Sequence, residues 1–430
     1  SFNPLSDSPF LTEPTLPNDT TIYSSRFTFE PIELSMYMQD KIELKDLIIN
    51  AGLRLDYFDP KGNLLSDPSD PSIYNPIKPS NRYKDINENG IQDQGEPTIS
   101  SVQRSEYWYT KTSEKYKISP RFGISFPISD AGVFHFSYGH FFQMPRFELL
   151  YMNPDFDLGQ STGNTGVIGN ADLQPEKTIS AEIGLQQQLN RNYILNVTCY
   201  FRDIRELTGT RSSEIEMFGG SSTYSKLENS DFAFVKGLVL SLDYDNRNGA
   251  FGTLDYTLQS AVGTASDPFQ AQNALSNNQL PEIQIVPLDW DQTHTLNATL
   301  GLSKPFGNLS IIGRFGSGLP YTPESAVDIS SLIYNSSRKP ITHTVDLRAS
   351  KEIRFNVYRI NLFFRVKNLF DHLNENAVYN DSGEAGYTRK LGMAQSQNTD
   401  EAINTLDDWF NNETFYSNPR RIEIGFDIKY

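Results

Sequence analysis

The sequence predicts an all-β fold, a transmembrane β-barrel of antiparallel up-and-down strands, from three features. Apolar and polar residues alternate with period two in segment after segment. Short turns and long polar loops alternate strictly between those segments. No run approaches the roughly 18 to 20 apolar residues of a membrane helix, so a bilayer can be crossed here only by strands.

In chain order, "DLIINAGLRLDYF" (46–58) places Leu47, Ile49, Ala51, Leu53, Leu55 and Tyr57 on one face, with Asn50, Gly52, Arg54 and Asp56 opposite. In "KTISAEIGLQQQL" (177–189), Ile179, Ala181, Ile183 and Leu185 face away from Ser180, Glu182 and Gln186. "NYILNVTCYFRDI" (192–204) sets Leu195, Val197, Cys199 and Phe201 against Asn196, Thr198, Tyr200 and Arg202. "HTVDLRASKEI" (343–353) and "RINLFFRVKNLF" (359–370) repeat the pattern with Asp346, Arg348, Asn361, Arg365 and Lys367 on the polar side. The chain closes on "RIEIGFDIKY" (421–430), where Ile422, Ile424, Phe426, Ile428 and Tyr430 alternate with Glu423, Gly425, Asp427 and Lys429. Each segment has about the 9 to 11 residues that a tilted strand needs to cross hydrocarbon. A last strand that stays regular to its end implies pairing on both sides, as in a closed barrel, with Tyr430 at the membrane interface.

The connections give the count and the direction. Short turns fall at 41–46, 129–132, 190–192, 245–252, 304–308 and 354–358. Long loops fall at 59–116, 143–176, 205–233, 263–293, 316–342 and 371–418. About 13 strands result, starting near Pro31, with short turns on the periplasmic side and long loops outside. A soluble β-sandwich would also alternate, but has no reason to keep its long loops on one side. A propeller would repeat a blade motif, and none is found.

Composition excludes other classes. The formal charge of −16 argues against a nucleic-acid partner. Twenty-two Tyr and 28 Phe beside three Trp fit either a large β core or aromatic girdles at membrane interfaces. The one cysteine, Cys199, has no internal partner for a disulfide. Residues 1–30 read as a Pro-rich extracellular loop segment, and 31–430 as barrel.

Several stretches together resemble TonB-dependent outer-membrane receptors of the Bacteroidetes type: "ELSMYMQDKIELKDLIINAGLRLDYFDP" (33–60), "SPRFGISFPISDAGVFHFSYGHFFQMP" (119–145), "LQPEKTISAEIGL" (173–185), "DWDQTHTLNATL" (289–300), "GRFGSGLPYTP" (313–323) and "RVKNLFDHLNE" (365–375). The resemblance implies a bacterial outer-membrane location and a barrel of about 22 strands filled by an N-terminal plug. It also implies uptake of a solute with energy relayed by the TonB system. An odd count near 13 does not close a bacterial single-chain barrel. The residues therefore read as the C-terminal part, with the plug, the TonB box and the first strands missing from it. A surface lipoprotein lid, as in SusC–SusD pairs, is a further partner that the resemblance allows. The alternative reading is a barrel that no longer transports and serves as a binding or scaffold subunit.

One local motif carries metal chemistry. "DINENGIQDQGE" (85–96) fits the calcium-loop pattern, with side-chain oxygens from Asp85, Asn87, Asn89, Asp93 and Glu96 and the backbone carbonyl of Ile91. Gly90 permits the sharp turn, and calcium, a hard cation, takes six to eight such oxygens. The competing reading is a plain Asn-Gly turn. Catalysis finds no support: the five histidines, His135, His140, His294, His343 and His372, are scattered without metal-ligand spacing. Arg54, Arg121, Arg202, Arg314, Arg348 and Arg365, with Asp56, Glu182, Asp255 and Asp346, are expected to face the lumen, where they would bond a plug and hold water.

Overall fold

The computed structural model describes residues 27–154, 156, 164–210, 214–220, 222–276, 284–324, 334–392 and 412–429. Its wall is one sheet of thirteen long strands in chain order, each antiparallel to the next. They are β1 (Ile32–Leu44), β2 (Leu47–Asp59), β3 (Lys115–Ser129), β4 (Gly132–Gln143), β5 (Glu176–Gln188), β6 (Tyr193–Thr210) and β7 (Ser222–Asp245). There follow β8 (Ala250–Gly263), β9 (His294–Lys304), β10 (Gly307–Gly316), β11 (Thr342–Phe355), β12 (Tyr358–Lys367) and β13 (Arg421–Lys429).

Turns of two to four residues join the strands at one end of the sheet, as at 45–46, 130–131, 305–306 and 356–357. The 246–249 turn depends on glycine. Gly249 sits at φ +88°, and a Cβ there would lie 1.8 Å from the Ser303 carbonyl oxygen.

Register carries the alternation from strand to strand across the membrane-spanning part of the sheet. Arg54 lies opposite Tyr37 and Ser119, and Arg121 opposite Gly52 and Gly139. Glu182 lies opposite Ser137 and Tyr200, and Asp255 opposite Ser241 and Asn297. Arg348 lies opposite Ser310 and Arg365. The charged residues assigned to the lumen thus share one face. The other face carries Leu53, Ile183, Leu254, Leu300, Ile311, Leu347, Leu362 and Ile424. Apart from the partly covered Leu347, those side chains are exposed with no protein layer over them; Ile424 is 80% exposed, as a lipid-facing residue must be.

Three expectations need correction or a boundary. The region 205–233 is mostly strand, not loop, because β6 runs on to Thr210 and β7 spans 24 residues. Their pairing continues through Leu207↔Asp231 and Thr210↔Leu227 across two register shifts. At about 3.3 Å per residue, β7 is some 80 Å long, far more than the bilayer needs, so its first half stands above the membrane. Secondly, β13 is paired with β12 alone among the described residues, so the sheet is open at both edges rather than closed first strand to last. Tyr430 and residues 1–26 lie outside the described residues.

The opposite ends of the sheet give a direct test of orientation in the full-length protein on intact cells. A cysteine at exposed Ser336, in a long loop, is expected to react with an impermeant thiol reagent. One at exposed Asn248, in a short turn, is expected to stay unlabelled. The reverse pattern would invert the topology. Ser222, only 5% exposed at the start of β7, is unsuitable as a label site.

Candidate ligand-facing surface: inner wall and loop-side cap

The polar face of the wall is a lattice of charge. Arg54 donates to Asp56 at 2.8 Å, Arg314 to Asp346 at 3.3 Å, and Asn196 to Asp243 at 3.3 Å. Glu423 lies 2.9 Å from Arg421 and 3.9 Å from Arg365. Most of these arginines are half exposed, so each pair adds little stability; their role is to keep the face wet and polar. Toward the first strands this face opens into a groove of about 740 Å³. Gly52, Gly123 and Gly139 line it without side chains, while Arg54, Arg121 and Glu182 border it. The Arg121 guanidinium is held 4.7 Å above the Phe141 ring, a cation–π contact that fixes its direction.

The packed core is not in the wall but above it, on the long-loop side. One cluster joins Phe58, Leu149, Leu150, Tyr151, Leu173 and Leu227. A second joins Phe156, Ile168, Met217 and Tyr224. Phe29, just before β1, stacks on Tyr151 with ring centroids 4.2 Å apart. The short strand Asn164–Ile168 runs parallel to the start of β7 and ties the 143–176 loop to it. The long loops thus fold into a cap with an interior of its own. A third cluster, Ala233, Val235, Ala261 and Leu288, seals the inner face just below.

Polar locks fasten the cap to the wall. Lys115, whose side chain is 1% exposed, is bonded to Asp172. Ser113 donates to the same carboxylate through its backbone N–H and its Oγ, both at 2.8 Å. Burial alone would push the Asp172 carboxyl up, but these hydrogen bonds outweigh it and hold it below its ordinary value. A depressed carboxyl stabilises the fold above its unfolded pKa, and that stabilisation is lost as pH falls through the folded value. Protection of the Ser113 amide from hydrogen exchange, corrected for the intrinsic pH dependence of the rate, is therefore expected to hold at neutral pH and to fall below about pH 4. An Asp172→Asn variant matching wild type throughout would show that the lock contributes nothing.

The 85–96 residues do come together as one compact loop. Asp85 accepts from the N–H groups of Asn89 and Gly90, at 3.2 and 2.7 Å. Glu96 accepts from Ile86 and Asp93 N–H groups at 2.8 and 3.0 Å. Asp93 Oδ2 accepts from both Asn87 and Asn89 amides at 2.7 Å. Among the described residues, no group of three or more His, Cys, Asp or Glu is placed to hold a metal. Sequence reasoning missed the pairing of His343 with His372, whose rings stack 4.0 Å apart from different segments. His135 and His140 both lie on β4, but on opposite faces, His140 bonded to Tyr138 at 2.8 Å.

The family model described as "TonB dependent receptor-like, beta-barrel" matches residues 2–369. No curated protein matches. Among solved structures, the chain is similar to the outer-membrane transporter YddB from Escherichia coli, with 12% identity and a TM-score of 0.52, covering 80% of this chain and 51% of that one. It is also similar to the ferric citrate transporter FecA in unliganded form, with 11% identity and a TM-score of 0.52, covering 93% and 45%. The FpvAI–pyocin S2 complex matches at 12% identity and a TM-score of 0.52, covering 93% and 39%. The chain spans about half or less of these neighbours, which share its fold. An antiparallel wall with one apolar and one charged face, short turns at one end and a loop cap at the other, agrees with the family match: this chain belongs to the TonB-dependent receptor-like β-barrel family of the bacterial outer membrane.

Proposed function

We propose that these residues form the C-terminal part of an energised importer, whose remaining strands and plug are supplied by sequence outside them. The observation that carries this reading is the two-faced wall under a folded cap. Its apolar face suits lipid, its charged face suits a water-filled or plugged lumen, and its cap offers a rigid surface for solute capture. The two open sheet edges, at β1 and β13, support further strands on either side. In this reading the cap binds the solute, the plug rearranges under force from TonB, and the solute passes along the arginine-lined wall. The test is binding of the full-length receptor, in detergent, to the periplasmic domain of TonB. Binding is expected; its absence, in a receptor shown to be folded, would sink the import reading.

We also propose that residues 85–96 hold a structural calcium ion. The convergence of Asp85, Asn87, Asn89, Asp93 and Glu96 on one loop supports it. Turning the Asn87 and Asn89 amides over would exchange nitrogen for oxygen beside Asp93, which suits a cation. The ion would stiffen the mouth of the barrel and do no chemistry. Titration calorimetry on the full-length protein is expected to show binding at 10⁻⁴ to 10⁻³ M, roughly the range of extracellular sites. Glu96→Gln, which removes the bidentate ligand, should weaken it with the barrel still folded. No heat of binding at millimolar calcium would leave an Asn-Gly turn.

A further inference from the structure

Glycines on the inner face of the wall are of two kinds. Gly184 lies directly opposite His135, and Gly237 directly opposite Tyr200. Gly301 faces Phe251 in the same way, and Gly425 faces Phe363. In all four pairs a Cβ built on the glycine would overlap the ring. The glycine makes room there, and the ring from the next strand covers its backbone.

Gly52 and Gly123 lie on the same face and have no ring. Gly52 is opposite Gln39 and Arg121, and Gly123 is opposite Asn50 and Ser137. A Cβ would come no closer than 3.4 Å to its neighbours at Gly52 and 3.8 Å at Gly123. Neither glycine has a positive φ. Nothing in the wall therefore calls for glycine at these positions, although glycine weakens a strand interior through lost entropy and lost packing.

The two bare glycines are diagonal neighbours on β2 and β3, in the floor of the 740 Å³ groove. Gly139 on β4 extends that floor. Arg121 stands directly opposite both Gly52 and Gly139, its guanidinium directed by the Phe141 ring. Arg54 and Arg202 each have a carboxylate beside them, at 2.8 and 3.9 Å. Arg121 makes no ion pair among the described residues.

Height restricts what can enter. Gly52 is five residues from the turn-side start of β2, and Gly123 six from the turn-side end of β3. At about 3.3 Å per residue and a tilt of about 40°, both lie roughly 13 to 15 Å above the turns. That is near the middle of an apolar band about 25 Å tall, so only the contents of the lumen reach the groove.

We propose that this groove is the seat of the plug, the lumen-filling segment that the import reading places in sequence outside these residues. An aromatic ring of that segment lies on Gly52 and Gly123, as the wall's own rings lie on the other four glycines. A carboxylate of the segment pairs with Arg121 by charge-assisted hydrogen bonds. The occupant is resident and not a solute in transit. Bare glycines weaken the folded barrel at all times, and the four covered ones are offset by contacts that never leave. The existence of a plug rests on the import reading, whereas the place of contact comes from the wall.

Hydrogen exchange of the full-length receptor in detergent, read by mass spectrometry, tests the seat. A Gly52→Val/Gly123→Val variant fills the groove from the wall and favours the strand at both positions. It is expected to keep heat-modifiable migration and wall protection, and to exchange at least tenfold faster in the plug. Arg121→Gln is expected to act in the same direction, and Arg121→Lys to restore protection. Gly313→Val is the control. Gly313 lies on the outward face, opposite Ala298 and Val345, with nothing within 4 Å of a built Cβ. Its substitution should leave the plug as in wild type. A protected wild-type plug that the double Val variant does not loosen overturns the seat and leaves the import reading standing. Equal loosening by Gly313→Val also overturns it, since the effect would not come from the groove. A wild-type lumen with no protected segment removes the import reading and the seat together.

Discussion

Arginine in place of Ile183 or Leu347 is expected to destabilise the folded receptor by roughly 2 to 4 kcal/mol in a lipid bilayer. Ile183 lies opposite Phe136 and Cys199, near the middle of the outward apolar stretch between Gln187 and Lys177. Leu347 lies opposite Ile311 and Val366 on the same face. Ile183 is 46% exposed with no protein layer outside it, so there the penalty comes from placing a guanidinium in hydrocarbon, not from lost packing. Gln186, one residue from the band but on the inner face opposite Val133 and Asn196, supplies the control. Gln186→Arg should be far milder, because the inner face already holds solvated arginines. Unfolding of the full-length protein in lipid vesicles measures all three. Equal costs on the two faces would mean that neither face meets lipid.

The wall was legible in the sequence and the cap was not, for one physical reason. A strand in a two-faced sheet sorts its residues locally, so Ile179 to Leu185 or Ile422 to Ile428 announce their faces without knowledge of any neighbour. The short turns are equally local. The buried residues of the cap, among them Phe58, Leu150, Leu173, Tyr224 and Leu227, come from the end of β2, the stretch between β4 and β5 and the start of β7, and show no common period. Their partners are far away in sequence: the Tyr224 hydroxyl donates to the Pro68 carbonyl, and Phe29 meets Tyr151. The first half of β7 was hidden differently. Its register shifts between Glu228 and Ala233 break the alternation, so two phases of one strand read as a loop. At the calcium motif the pattern placed its six residues on one loop, but which atoms turn inward depends on amide orientations that no sequence pattern encodes.

The second large effect is expected at Tyr224. This side chain is fully buried among Phe156, Ile168 and Met217. Its hydroxyl donates to the Pro68 carbonyl at 2.7 Å, joining β7 to the loop after β2. Burial pushes the phenol well above its ordinary value, so it stays a neutral donor throughout the physiological range. Tyr224→Ala removes the largest ring of a small cluster and is expected to cost the cap about 3 to 5 kcal/mol. The wall should not share that loss, because its stability comes from hydrogen bonds between neighbouring strands and from lipid. The variant is therefore expected to keep the heat-modifiable migration of a folded barrel. Limited proteolysis should cut newly at 63–68, 109–113 and 164–170, the segments packed beside the ring. Tyr224→Phe, which removes only the hydroxyl, should cost about 1 kcal/mol and leave those segments resistant. If the Ala variant resists protease like the wild type, the cap draws its order from elsewhere. If it loses the barrel as well, cap and wall fold as one cooperative unit.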